Sequence, residues 1–89
     1  MLHARKDYND RIQDADNKIP ADEPVFMLRG QDKFAPVLLD IYAALVATVT
    51  SNSNPVVVNT KEHAISMREW QHAVKCKIAD MDDADSVYR

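Results

Sequence analysis

The chain has one cysteine, one glycine and one tryptophan among its 89 residues. A lone cysteine forms no intrachain disulfide, so nothing points to an oxidising compartment or a disulfide-stapled fold. A single glycine leaves no glycine-rich loop of the kind that cradles phosphate through backbone N–H groups. An excess of positive charge is missing too: 11 Lys and Arg oppose 14 Asp and Glu, for a net −3, which disfavours a general nucleic-acid binder. The longest apolar stretch, residues 34–50, is interrupted by Pro36 and Asp40. A spanning helix needs ~20 apolar residues, and a carboxylate near its centre costs roughly 2.5–3.5 kcal/mol, so no membrane span is expected. Residues 1–6 lack the apolar run of a secretory signal, and an intracellular protein is the expectation.

What is present is a folded composition, 46% apolar and 28% charged. The length is that of one domain, 1–89, and excludes two-domain enzymes, barrels and doubly wound sheets. A core of this size rarely supplies more than ~3–5 kcal/mol, and with no disulfide and no structural metal cluster in view, association is the remaining common remedy. Charge is unevenly spread. Residues 1–33 are densely charged with both signs, 34–60 carry only Asp40, 61–79 are mildly basic, and 80–89 carry four Asp against Arg89.

Two helices account for the middle of the chain. The first is expected at 33–50, with Asp32 as N-cap and Pro36 tolerated in the first turn. Phe34, Leu38, Ile41, Leu45 and Val49 recur on one face, and Leu39, Tyr42, Ala43 and Val46 lie round its side. A helix apolar over most of its circumference must bury more than one face, which predicts a homo-oligomer. Small residues four apart, Ala43 with Ala47 and Ala44 with Thr48, would permit close helix approach. Ser51–Asn54 forms a polar connection, and Asn54-Pro55 matches an N-cap followed by Pro at the first helical position. A helix over 55–77 then places Val56, Thr60, His63, Met67, Trp70 and Val74 on one stripe. The β-branched Val56–Val58 also fit a short strand, the competing reading. The short loop favours an antiparallel hairpin. Residues 1–31 form an extended N-terminal arm with a proline-interrupted connection at 17–24, a short strand or pinned extended segment at 25–29, and a sharp change of direction at Gly30. Residues 78–89 make an acidic tail. The fold class expected is therefore mainly α, a two-helix hairpin wrapped by an arm and assembling with copies of itself.

The segments Met1–Asn9, Arg11–Asp14, Ile19-Pro20, Asp22–Phe26 and Arg29 with Gln31–Lys33 resemble a group of small uncharacterised bacteriophage and prophage proteins. His63-Ala64, Met67 and Trp70-Gln71 extend the likeness weakly; an additional residue at Asp10 and Gly30 in place of an alanine depart from it. The resemblance implies a phage accessory protein in the host bacterial cytoplasm, and no activity that transfers residue by residue.

Within the arm, Arg5, Lys6, Tyr8, Arg11, Arg29 and Gln31 form a candidate ligand site. Arginine forks match phosphate or carboxylate, Tyr8 can stack on a base and Gln31 can read a base edge. The interleaved Asp7, Asp10, Asp14 and Asp16 fit equally a solvated surface or ion pairs between subunits. His63, Glu69, His72 and Cys76 raise a metal reading, and Lys61–Ala64 with Met67 and Glu69-Trp70 resemble the second helix of two-helix encapsulated ferritins. Thr60 stands where that pattern needs a carboxylate, so no metal or other cofactor is expected. Cys76 lies between Lys75 and Lys77 but has no base beside it, and no catalytic residue is assigned. The leading expectation is a non-catalytic protein that sequesters a small anionic, nucleotide-like molecule, such as a host-defence signal. The rivals are a protein–protein inhibitor that meets a host protein through Asp80–Asp85, and a ferritin-like metal-binding protein.

Overall fold

A computed structural model describes residues 1–78. Its elements, in order, are β1 (Leu2–His3), α1 (Lys6–Arg11), β2 (Pro24–Val25), α2 (Ala35–Val49) and α3 (Pro55–Ala73). The protein is mainly helical, with the two longer helices packed on each other and a small strand pair near the N-terminus. No described helix is long and apolar enough to cross a membrane. From residue 79 onward the acidic tail, and with it the proposed docking of Asp80–Asp85, lies outside the described residues.

The start of α3 follows its local signals. Asn54 Oδ1 accepts the Val56 N–H at 2.9 Å and Pro55 occupies the first turn, so Val56–Val58 are helical. The far end comes earlier than the expected 77. Val74 donates its N–H to the Trp70 carbonyl and the helix stops at Ala73. The chain then returns alongside the residues that precede α2: Lys33 N–H donates to the Lys77 carbonyl at 2.7 Å and Lys77 N–H to the Gln31 carbonyl at 2.9 Å. This bridge also shortens α2, because residue 33 is drawn out of the helix. Phe34 rather than Asp32 is the N-cap, and Asp32 instead holds the preceding turn, its Oδ1 accepting the Phe34 N–H at 2.9 Å. At the other end, Thr48 and Thr50 hydroxyls fold back on the helix and donate to the Leu45 and Val46 carbonyls.

Between the helices the buried stripes differ from those expected. On α2 the packed side is Pro36, Leu39, Ala43 and Val46; on α3 it is Val57, Thr60, Ala64, Met67 and Gln71. Both sets run at spacings of three and four, a regular seam for side-by-side helices. Phe34, Leu38, Ile41, Leu45 and Val49 remain exposed, as do Val56, His63, Trp70 and Val74. The reason is size. Ala43 and Ala64 are fully buried and let the backbones approach, whereas a seam through Leu45 and Trp70 would hold them apart. Val57 is the largest fully buried side chain. The pairing of Arg68 with Asp40, and the Gln71 amide against the Gly30 and Asp32 carbonyls, join the end of α3 to the beginning of α2.

The arm is more regular than an extended segment in one place and less in another. Residues 6–11 form α1, stabilised by Asp7 in its first turn and by the Asp7–Arg11 pair one turn apart. Its Tyr8 is buried, and the His3 ring meets the Tyr8 ring edge-on. The strand expected over 25–29 is confined to Pro24–Val25, in parallel register with Leu2–His3, since its partner offers only two residues.

Gly30 has no positive φ, and a β-carbon there would meet nothing within 4 Å. The turn at this point is made by Asp32 N–H donating to the Arg29 carbonyl at 2.9 Å and does not require glycine. Gly30→Ala is therefore expected to stabilise the protein by about 0.4–1 kcal/mol, by narrowing the unfolded ensemble. A rise of a few degrees in the thermal midpoint checks this; a fall would reveal a constraint on that backbone.

Candidate functional site

Three parts of the chain far apart in sequence converge on one cleft. The segment entering α1 supplies Ala4, Arg5 and, a turn on, Tyr8. The stretch leaving β2 supplies Phe26, Met27 and Arg29. The bridge beside α2 supplies Gln31, Asp32 and Lys77, and together these line a space of about 290 Å³. That is near the lower end of small-molecule sites.

Four of the six residues singled out from the sequence, Arg5, Tyr8, Arg29 and Gln31, line this cleft; Lys6 and Arg11 do not. Lys6 is exposed on α1. Arg11 lies with its guanidinium carbon 5.8 Å from the Tyr8 ring centroid and its Nη1 3.5 Å from Asp7. The i, i+3 spacing of a helix, which an extended arm lacks, is what separates Arg11 from the cleft while keeping it on Tyr8.

Tyr8 itself cannot serve as a stacking platform. It is 6% exposed, with His3 against its edge and the Arg5 guanidinium carbon 4.7 Å from its centroid. Its hydroxyl accepts a long hydrogen bond, 3.4 Å, from Arg5 Nη1. The flat apolar surface in the cleft is instead Phe26, 74% exposed. Phe26, Met27, Asp32 and Lys77 were not among the residues chosen from the sequence. Phe26 stands in an apolar run, which signals burial rather than a site, and Lys77 reaches the cleft only because the chain turns back after α3.

The charges are arranged in two groups. Arg5 is held by Asp7 through Nε at 3.1 Å and Nη2 at 2.9 Å. Withdrawal from water would raise the Asp7 carboxyl, but the Arg5 hydrogen bonds and charge, a backbone N–H and the Arg11 charge together hold it below the ordinary carboxylate range. Arg29 and Lys77, by contrast, have no carboxylate within ion-pair distance among the described residues. Asp32 lines the same cleft, with one oxygen engaged by the Phe34 N–H. The cleft can thus hold an anion beside an exposed aromatic face. Apart from the Tyr8 phenol, its lining side chains carry no hydroxyl or thiol that could act as a nucleophile.

The other constellation read from the sequence stays dispersed. Among the described residues no three His, Cys, Asp or Glu side chains are close enough to hold a metal ion. Asp40, the one carboxylate of α2, is paired with Arg68. His63, Glu69 and His72 are exposed on α3, and the Cys76 thiol donates to Gln71 Oε1 at 3.5 Å.

No protein-family model, no curated protein and no solved structure matches this chain.

Proposed function

We propose that this protein is a non-catalytic binder of a small anionic, nucleotide-like molecule in the cleft beneath the arm. The observation that carries the reading is the pair Arg29 and Lys77, two cations brought to one cleft without an ion-pair partner among the described residues. Phosphate oxygens take guanidinium and ammonium donors at this site, Arg5 adds a third cation, Phe26 offers its ring to a base, and the Gln31 amide meets the base edge. In this reading the two long helices run as an antiparallel hairpin and copies of the chain associate. The setting, a phage accessory protein acting on a host-defence signal in the bacterial cytoplasm, rests on the resemblance of the arm motifs.

Calorimetric titration with AMP, GMP and inorganic phosphate tests the binding. A nucleotide is expected to bind more tightly than phosphate, because only the nucleotide uses Phe26. Arg29→Glu and Lys77→Glu are each expected to weaken it at least tenfold, about 1.4 kcal/mol. Arg29 is exposed and Lys77 partly buried, and neither is in an ion pair among the described residues, so their thermal midpoints should stay within a few degrees of the parent. Absence of heat for every compound in the panel would overturn the reading.

A further inference from the structure

The outward side of α2 is the largest feature that the cleft leaves unused. Phe34, Leu38, Ile41, Leu45 and Val49 follow one another at spacings of four, three, four and four, and each is about half exposed or more, rising to 62% at Leu45 and 83% at Val49. Val37 and Tyr42 flank them, also exposed. At roughly 150–200 Å² for such a side chain in full view, these seven present on the order of 600–700 Å² of apolar surface. Patches of about 300–600 Å² are the largest usually found on a monomer, and a stable interface takes about 800 Å² from each partner. The strip is thus too large to be a typical free surface and close to one half of an interface.

Charge identifies the occupant. Residues 34–50 contain one charged side chain, Asp40, and it is engaged by Arg68 of the same chain rather than standing on this strip. A foreign partner with an acidic or basic anchor would find nothing to pair with. A second copy, related by a two-fold axis, meets an identical apolar strip with no like charges opposed. The exposed apolar side chains of α3 form no such surface, because Ile65 and Trp70 stand among Lys61, Glu62, Arg68, Glu69 and His72.

We infer that two copies pack α2 against α2 through Phe34, Leu38, Ile41, Leu45 and Val49, with α3 of each on the outside of a four-helix core. α2 then carries two seams, Pro36–Leu39–Ala43–Val46 toward its own α3 and the longer-chained one toward the partner, as the inner helices of a bundle do. The inference rests on the self-association proposed above and specifies its face.

Light scattering of the full chain at roughly 10–100 μM, where a dimer with a Kd of about 1 μM is mostly assembled, is expected to give twice 10.1 kDa. Leu45→Lys and Ile41→Lys are expected to return a 10.1 kDa species with its helical circular dichroism intact, whereas Ile65→Lys keeps the doubled mass. Should Leu45→Lys fail to fold, Val49→Lys, at the most exposed position of the strip, replaces it. A wild-type mass of 10.1 kDa would overturn both the inference and self-association. An assembly that survives Ile41→Lys and Leu45→Lys but is broken by Ile65→Lys would overturn the proposed face and leave self-association standing.

Discussion

Replacing Gln71 by alanine is expected to lower the thermal midpoint by roughly 5–20 °C at fixed chain concentration. Its side-chain amide donates to the Gly30 carbonyl at 2.9 Å and the Asp32 carbonyl at 2.7 Å, residues 41 and 39 positions earlier in the chain. Gln71 and both acceptor residues are partly buried. Truncation takes the amide donor from the Gly30 carbonyl, while the Asp32 carbonyl keeps the Ala35 N–H at 3.0 Å, a loss of about 1–3 kcal/mol from a total that a core of this size places near ~3–5 kcal/mol. Loss should begin locally. The Lys33 and Lys77 amides, which form the adjoining bridge, are expected to exchange with solvent about 10²-fold faster than in the parent, ahead of amides in the middle of α3. Gln71→Glu separates hydrogen bonding from packing. The charged carboxylate faces two carbonyl oxygens and should destabilise at neutral pH, while below about pH 4 the protonated acid regains one donor and part of the loss. A midpoint within 3 °C of the parent for Gln71→Ala would show that the bridge holds without the amide.

The second large effect is expected from the opposite change, added volume. Ala64→Leu places three more carbons where Ala43 and Ala64 are both fully buried at the helix seam. The α2 and α3 backbones must separate to admit them, which costs about 1–3 kcal/mol and lowers the midpoint by roughly 5–20 °C. The neighbouring Ile65→Ala, at a side chain 54% exposed, should stay within about 0.5 kcal/mol of the parent. If Ala64→Leu were as stable as Ile65→Ala, the seam would not run through Ala64, and the division of α2 into an inner and an outer strip would lose its basis.

These two sites also mark the border between what could be read locally and what could not. That the middle of the chain forms two helices follows from the apolar spacing after Phe34, the Asn54-Pro55 start and the polar Ser51–Asn54 connection, because caps, prolines and period act through neighbours a few residues apart. The same local chemistry picked out Arg5, Tyr8, Arg29 and Gln31, which line one cleft. Which of two equally apolar strips of α2 is covered, where α3 stops, that Tyr8 turns inward and that Lys77 joins the cleft were decided by tertiary structure alone. Each depends on contacts between residues tens of positions apart: small side chains that let backbones approach, one amide that donates to two distant carbonyls, and a returning segment that bonds the Lys33 N–H just ahead of α2. Such contacts exist only once the chain has closed on itself, and no periodicity along the sequence carries their record.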